Sequence, residues 1–147
     1  MRRIRIGTLI LFAGLWTSGS VIAEELSVDR PTSIGGIETV CTGTGLEARG
    51  DPRWKAFALR LEFSTADGHY LGDETVSING NGQSFDVHCD GPWILLDLPE
   101  GNYKIEAQVA DAGRKVVTAH VPATGQARVV VSFSNGSEAE GRANSAG

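Results

Sequence analysis

The sequence predicts an all-β fold, an antiparallel β-sandwich of seven or eight strands, and three observations carry that expectation. From residue 55 to residue 133, apolar and polar residues alternate with a period of two, the mark of strands buried on one face. The turns between these runs hold glycine, proline, asparagine or aspartate and are too short for crossover helices. The strand-like runs number seven between residues 55 and 133, as in a β-sandwich.

The elements follow in order. In residues 54–64, Phe57, Leu59, Leu61 and Phe63 share one face and Ala58, Arg60 and Glu62 the other; a helix would scatter the four apolar residues. Asp67-Gly68 supplies a tight turn into a strand at 75–79, with Val76 and Ile78 inward, and Asn79 to Gly82 supplies the next. Phe85, Val87 and Cys89 then point inward while Ser84, Asp86 and His88 point outward, until Asp90-Gly91-Pro92 breaks the run. Residues 93–98 are almost continuously apolar, with Asp97 the one charge, as expected of a central strand covered on both faces. Three alternating runs complete the set: Tyr103, Ile105, Ala107 and Val109; Val117, Ala119 and Val121; Ala127, Val129, Val131 and Phe133. A weaker eighth strand is expected at 37–42. Between it and Trp54 the glycine-rich segment reads as a loop with at most one helical turn.

The N-terminus reads as an address. Arg2, Arg3 and Arg5 precede an apolar stretch from Ile6 to about Trp16, shorter than the roughly 20 residues that cross a bilayer. Small residues and Val21-Ile22-Ala23 follow, which suits a secretory signal cleaved after Ala23; the alternative is a retained anchor. The expected organisation is a signal peptide at 1–23, a linker at 24–34, one β domain at 35–133 and a disordered tail at 134–147. Of the 147 residues, 13 are Lys or Arg and 18 Asp or Glu. Loss of the three signal arginines leaves 10 basic residues and a net charge of −8. Such a domain repels phosphate backbones and anionic headgroups, so no nucleic acid partner and no stable membrane insertion after cleavage are expected. The location expected is periplasmic or secreted.

In an oxidising compartment Cys41 and Cys89 are expected to form a disulfide. It would close a loop of about 49 residues, for which chain entropy gives on the order of 4 kcal/mol. No CxxC pair points to redox work instead.

At residues 90–109 the chain resembles bacterial exported proteins classed as carboxypeptidase regulatory-like, which share a prealbumin-like β-sandwich. Asp90-Gly91-Pro92, Leu95, Leu96 and above all Leu98-Pro99-Glu100-Gly101-Asn102-Tyr103 carry the likeness. It extends more loosely from about Gly35 to Phe133. The physical sense of the motif is that Pro99 ends a strand, Gly101 permits a backbone conformation costly for other residues, and Tyr103 buries its ring while its hydroxyl bonds near the corner. The resemblance implies a non-catalytic domain that assists folding or mediates contacts; the two cysteines are an addition to it. The prealbumin-like fold also hosts hydroxyisourate hydrolases, but the C-terminal Tyr-Arg-Gly-Ser of those enzymes is missing from the final residues NGSEAEGRANSAG.

Candidate chemistry is sparse. His69, His88 and His120 lie in three separate elements without metal-binding spacing, so no metal, cofactor or catalytic residue is expected. A small periplasmic enzyme or metal-binding protein using these histidines is the alternative. No GxSxG elbow occurs, and the glycine-rich stretches lack the lysine of a phosphate loop. Trp54 and Trp93 fall opposite the main apolar set of their strands and form the candidate contact surface. The expected function is that of a non-catalytic binding or assembly module whose partner is an unknown envelope protein or ligand.

Overall fold

The structure is a computed structural model that describes residues 22–134. The expected signal peptide and the expected tail lie outside the described residues except at 22–23 and 134. Among the described residues no helix is long and apolar enough to cross a membrane.

Ten strands form two five-stranded sheets packed face to face. They are β1 (Glu24–Glu25), β2 (Thr32–Ile34), β3 (Ile37–Thr42), β4 (Leu59–Thr65), β5 (Glu74–Gly80), β6 (Gln83–Cys89), β7 (Trp93–Leu96), β8 (Gly101–Val109), β9 (Gly113–Val121) and β10 (Ala127–Phe133). One sheet has the order β1-β6-β5-β8-β9 and the other β10-β4-β7-β3-β2. The inward residues of both sheets meet in one core that includes Leu61, Phe63, Ile78, Val87, Ile94, Ile105, Ala119 and Val131. The alternation in β8 is fully expressed: Tyr103, Ile105, Ala107 and Val109 are buried and Asn102, Lys104 and Gln108 exposed.

Three expectations are corrected. The strand count is ten, because residues 24–34 form no free linker: they carry β1 and β2, and Leu26 is 2% exposed in the core. Strands of two and three residues are too short to show an alternation. The sheets are mixed and not purely antiparallel, since β10 runs parallel to β4 over seven residues and β1 parallel to β6. Short connections had suggested hairpins throughout. Packed sheets lie only about 10 Å apart, however, and three extended residues span that distance. The 90–92, 97–100 and 122–126 connections therefore change sheet, and true hairpins join β2–β3, β5–β6 and β8–β9.

The third correction concerns residues 46–56. A four-residue helix α1 (Leu46–Arg49) leads into a 3₁₀ helix over Pro52–Ala56, so β4 begins at Leu59. Asp51 caps that turn by accepting from the Arg53 backbone N–H, with Pro52 at its first position, where proline's missing N–H costs nothing. The turn lays Trp54 and Phe57 against Val40 and Leu95, a small second core on the outer face of the β3–β7 pair. As expected, β7 is therefore central and buried along its whole length.

Candidate functional site

A set of four ionisable side chains gathers at one end of the first sheet, around His88. The alternation of β6 that sends Val87 and Cys89 into the core turns His88 outward, opposite Thr75 of β5 and Glu25 of β1. Its Nδ1 lies 2.8 Å from Glu25 Oε2 and its Nε2 2.6 Å from Asp73 Oδ1. Asp90 Oδ1 stands 3.9 Å from Nδ1. A carboxylate can only accept, and an imidazole donates from both nitrogens only when protonated. The ring is therefore an imidazolium held between two carboxylates. Its pKa is raised above the ordinary histidine value, first by the hydrogen bond to Glu25 and also by that to Asp73, against the opposing effect of burial.

Ligand-type atoms of Glu25, His88 and Asp90 come within 4.8 Å of one another, a spacing that can suit a cation. The imidazolium has no lone pair to offer one. The set fits an ion-pair network better than a metal centre.

Behind this network, on the inner face of β5, lies Glu74. It is fully buried, and neither carboxylate oxygen has a hydrogen-bond partner. Burial pushes its pKa up to about 9, with the nearby Asp73 and Asp90 adding to the rise. Glu74 is thus a neutral acid over most of the working pH range.

The residues singled out from the sequence are distributed as follows. Cys41 and Cys89 form a disulfide that joins β3 of one sheet to β6 of the other. Tyr103 is 1% exposed and its hydroxyl donates to the Pro99 carbonyl at 2.7 Å. Asn81 donates to that hydroxyl at 3.3 Å and to the Glu100 carbonyl at 3.1 Å. Leu98 is buried, and Gly101 has a φ of 151°, which a β-carbon disfavours. The three histidines do not converge. His69 pairs with Asp67 at 3.1 Å, and His120 lies 2.8 Å from Asn102 Oδ1. His120 shares a sheet with His88 but β5 and β8 separate their strands.

Trp54 and Trp93, expected as a partly exposed contact pair, are only 3% and 5% exposed, which corrects that expectation. Trp54 is sealed by its own turn, its Nε1 donating to the Ala48 carbonyl at 2.7 Å and the Arg53 guanidinium lying over its ring. Trp93 is covered by Arg60, 4.5 Å from its ring centre, and by the edge-on ring of Tyr70. An aromatic side chain that does reach solvent is Tyr70, at 47% exposure. It lines an open cleft of about 300 Å³ with Gly43, Gly45, Arg49, Asp90 and Pro92, and the Arg49 guanidinium stacks on its ring. Gly43 is required there: its φ is positive, and a β-carbon would stand 2.7 Å from the Trp93 ring.

Glu25, Asp73, Asp90 and Tyr70 were not singled out from the sequence. They lie in short loops and a two-residue strand, and only the pairing of β1 with β6 brings Glu25 to His88.

No family model matches the sequence, and no curated protein matches it. Among solved structures, the Bacillus anthracis TIE protein is similar with a TM-score of 0.47 and 17% identity, over 55% of this chain and 17% of that one. The chain thus spans about a sixth of that protein's length.

Proposed function

We propose that this is a non-catalytic domain of the bacterial envelope, exported by the N-terminal signal, that works as a binding or assembly module. The observation that carries this reading is the cleft at Tyr70. It sets a half-exposed aromatic ring among Arg49, Asp90 and glycine backbone, the mixture of rigid apolar surface and hydrogen-bonding groups favoured at contact surfaces. The Cys41–Cys89 bridge supports an oxidising compartment. A prealbumin-like arrangement and the carboxypeptidase regulatory-like class belong to the same reading. The corner in which Tyr103 reaches back to Pro99 supports them.

Two measurements test it. The intact mass of protein from the cell envelope should match a chain starting at Glu24 and lighter by two hydrogens than its reduced form; an uncleaved species with free thiols overturns export. A photoreactive side chain at position 70 should crosslink to an envelope component in living cells. That crosslink should vanish on Arg49→Ala. Absence of any crosslink, with turnover of a substrate by the purified protein, overturns the binding reading.

A further inference from the structure

We infer that residues 24–28 form a strap that a protonated His88 holds across the edge of β6, and that the strap is released as the solution becomes alkaline. Three anchors hold this segment. The Leu26 N–H donates to the His88 carbonyl at 2.9 Å, the Leu26 side chain is seated in the core, and Val28 bridges to Cys41 on the other sheet. The strap thus crosses from one sheet to the other beside the disulfide. Its parallel ladder with β6 is two residues long, and so short a ladder has little stability of its own. Among the described residues, Glu25 to His88 is the one side-chain hydrogen bond made by residues 24–28.

That bond depends on charge. When the ring loses its proton, one of its two nitrogens becomes an acceptor facing a carboxylate, which is also an acceptor. One of the contacts to Glu25 and Asp73 must then open, and in either tautomer the contact to Glu25 loses the attraction between opposite charges that strengthens it. The groups facing the ring are Glu25 from β1, Asp73 from the loop before β5, Thr75 from β5 and Asp90 after β6, and Glu74 lies on the opposite face of β5. Every charged group among them is acidic, so each favours the protonated ring. Because the folded ring holds its proton more tightly than a free histidine, the grip is complete below about pH 6.5. It is lost as the pH rises through the raised folded value. Release frees the β6 edge at Val87 and His88 and empties the seat of Leu26.

Nuclear magnetic resonance of the isotope-labelled protein tests this by following the His88 ring and the Leu26 methyl groups from about pH 5 to pH 9. The released population should rise severalfold across this range, in step with the titration of the His88 ring. In Glu25→Gln, a substitution at an exposed side chain, the Leu26 methyl signals should show the looser strap already at the acid end and no step linked to His88. In Glu74→Gln the step should persist. Leu26 signals that stay in place through the His88 titration, a Glu25→Gln variant that behaves as the parent, or loss of the step in Glu74→Gln would each overturn the inference.

Discussion

Glu74 and Cys89 face each other across the β5–β6 ladder, so an unpartnered carboxyl group is buried beside one half of the disulfide. Burying a carboxylate without a partner costs far more than burying the neutral acid, and the group keeps its proton up to about pH 9. Its folded pKa is raised above the unfolded value, so its contribution is fully present below about pH 4.5 and is lost as pH rises to about 9. Over that window the parent should lose about 1.4 kcal/mol per pH unit relative to Glu74→Gln. Urea unfolding of both proteins at pH 5 and pH 8 should show their stability difference shift by on the order of 4 kcal/mol in favour of the glutamine variant. The titration of His88 is common to both proteins and cancels. A difference independent of pH would mean that Glu74 is ionised in the folded state.

The disulfide closes the chain between positions 48 apart and ties the two sheets together. Chain entropy alone assigns a loop of that length about 4 kcal/mol, a large fraction of a small domain's stability. The double variant Cys41→Ala, Cys89→Ala should unfold at a much lower urea concentration, and the oxidised parent treated with reductant should move the same way. Equal midpoints with and without reductant would show that the sheets need no staple.

The corner after β7 makes a smaller, sharper prediction. Tyr103→Phe keeps the buried ring but removes the donor to the Pro99 carbonyl and the acceptor for Asn81. Loss of such a hydrogen bond costs about 1 kcal/mol. Chemical denaturation should therefore detect a modest loss, with the fold intact by circular dichroism. A loss as large as that of Tyr103→Ala would instead place the value of the residue in its packing.

Much of the sandwich was legible because burial on one face leaves a period of two. The inward sets of β5, β6, β8, β9 and β10 were read at the right residues, as were Leu59, Leu61 and Phe63 of β4 and the central place of β7, whereas Phe57 belongs to the second core on the outer face. The same alternation extends back to Glu74, which shares the inward face of β5 with Val76 and Ile78. A strand taken to start at Thr75 hid it. The strand pattern started at Trp54 misplaces that residue, because the 3₁₀ turn begun at Asp51-Pro52 runs on to Ala56, and a capping aspartate before proline is itself the signal for a helical turn. The parallel pairing of β10 with β4 and of β1 with β6 depends on which sheet a strand enters, and that leaves no local trace. For the same reason the His88 network could not be read, since its four members come from two strands, β1 and β6, and from the loops before β5 and after β6, brought together by the pairing of β6 with β1 and β5.

The charge state of His88 separates an ion-pair network from a metal centre in solution. Both ring nitrogens lie within hydrogen-bond distance of carboxylates, so a cation would have to displace a proton that the surrounding acids favour. Binding of a ligand to the folded state alone raises the melting temperature by mass action. Stoichiometric zinc or copper at pH 6 should therefore leave the melting curve of the protein where it is, and a chelator should do the same. The carbon and nitrogen shifts of the His88 ring at that pH should be those of an imidazolium. A melting temperature several degrees higher with zinc, accompanied by a change in the His88 signals that Glu25→Gln abolishes, would replace the ion pair with a metal site and make the histidine reading of this domain the better one.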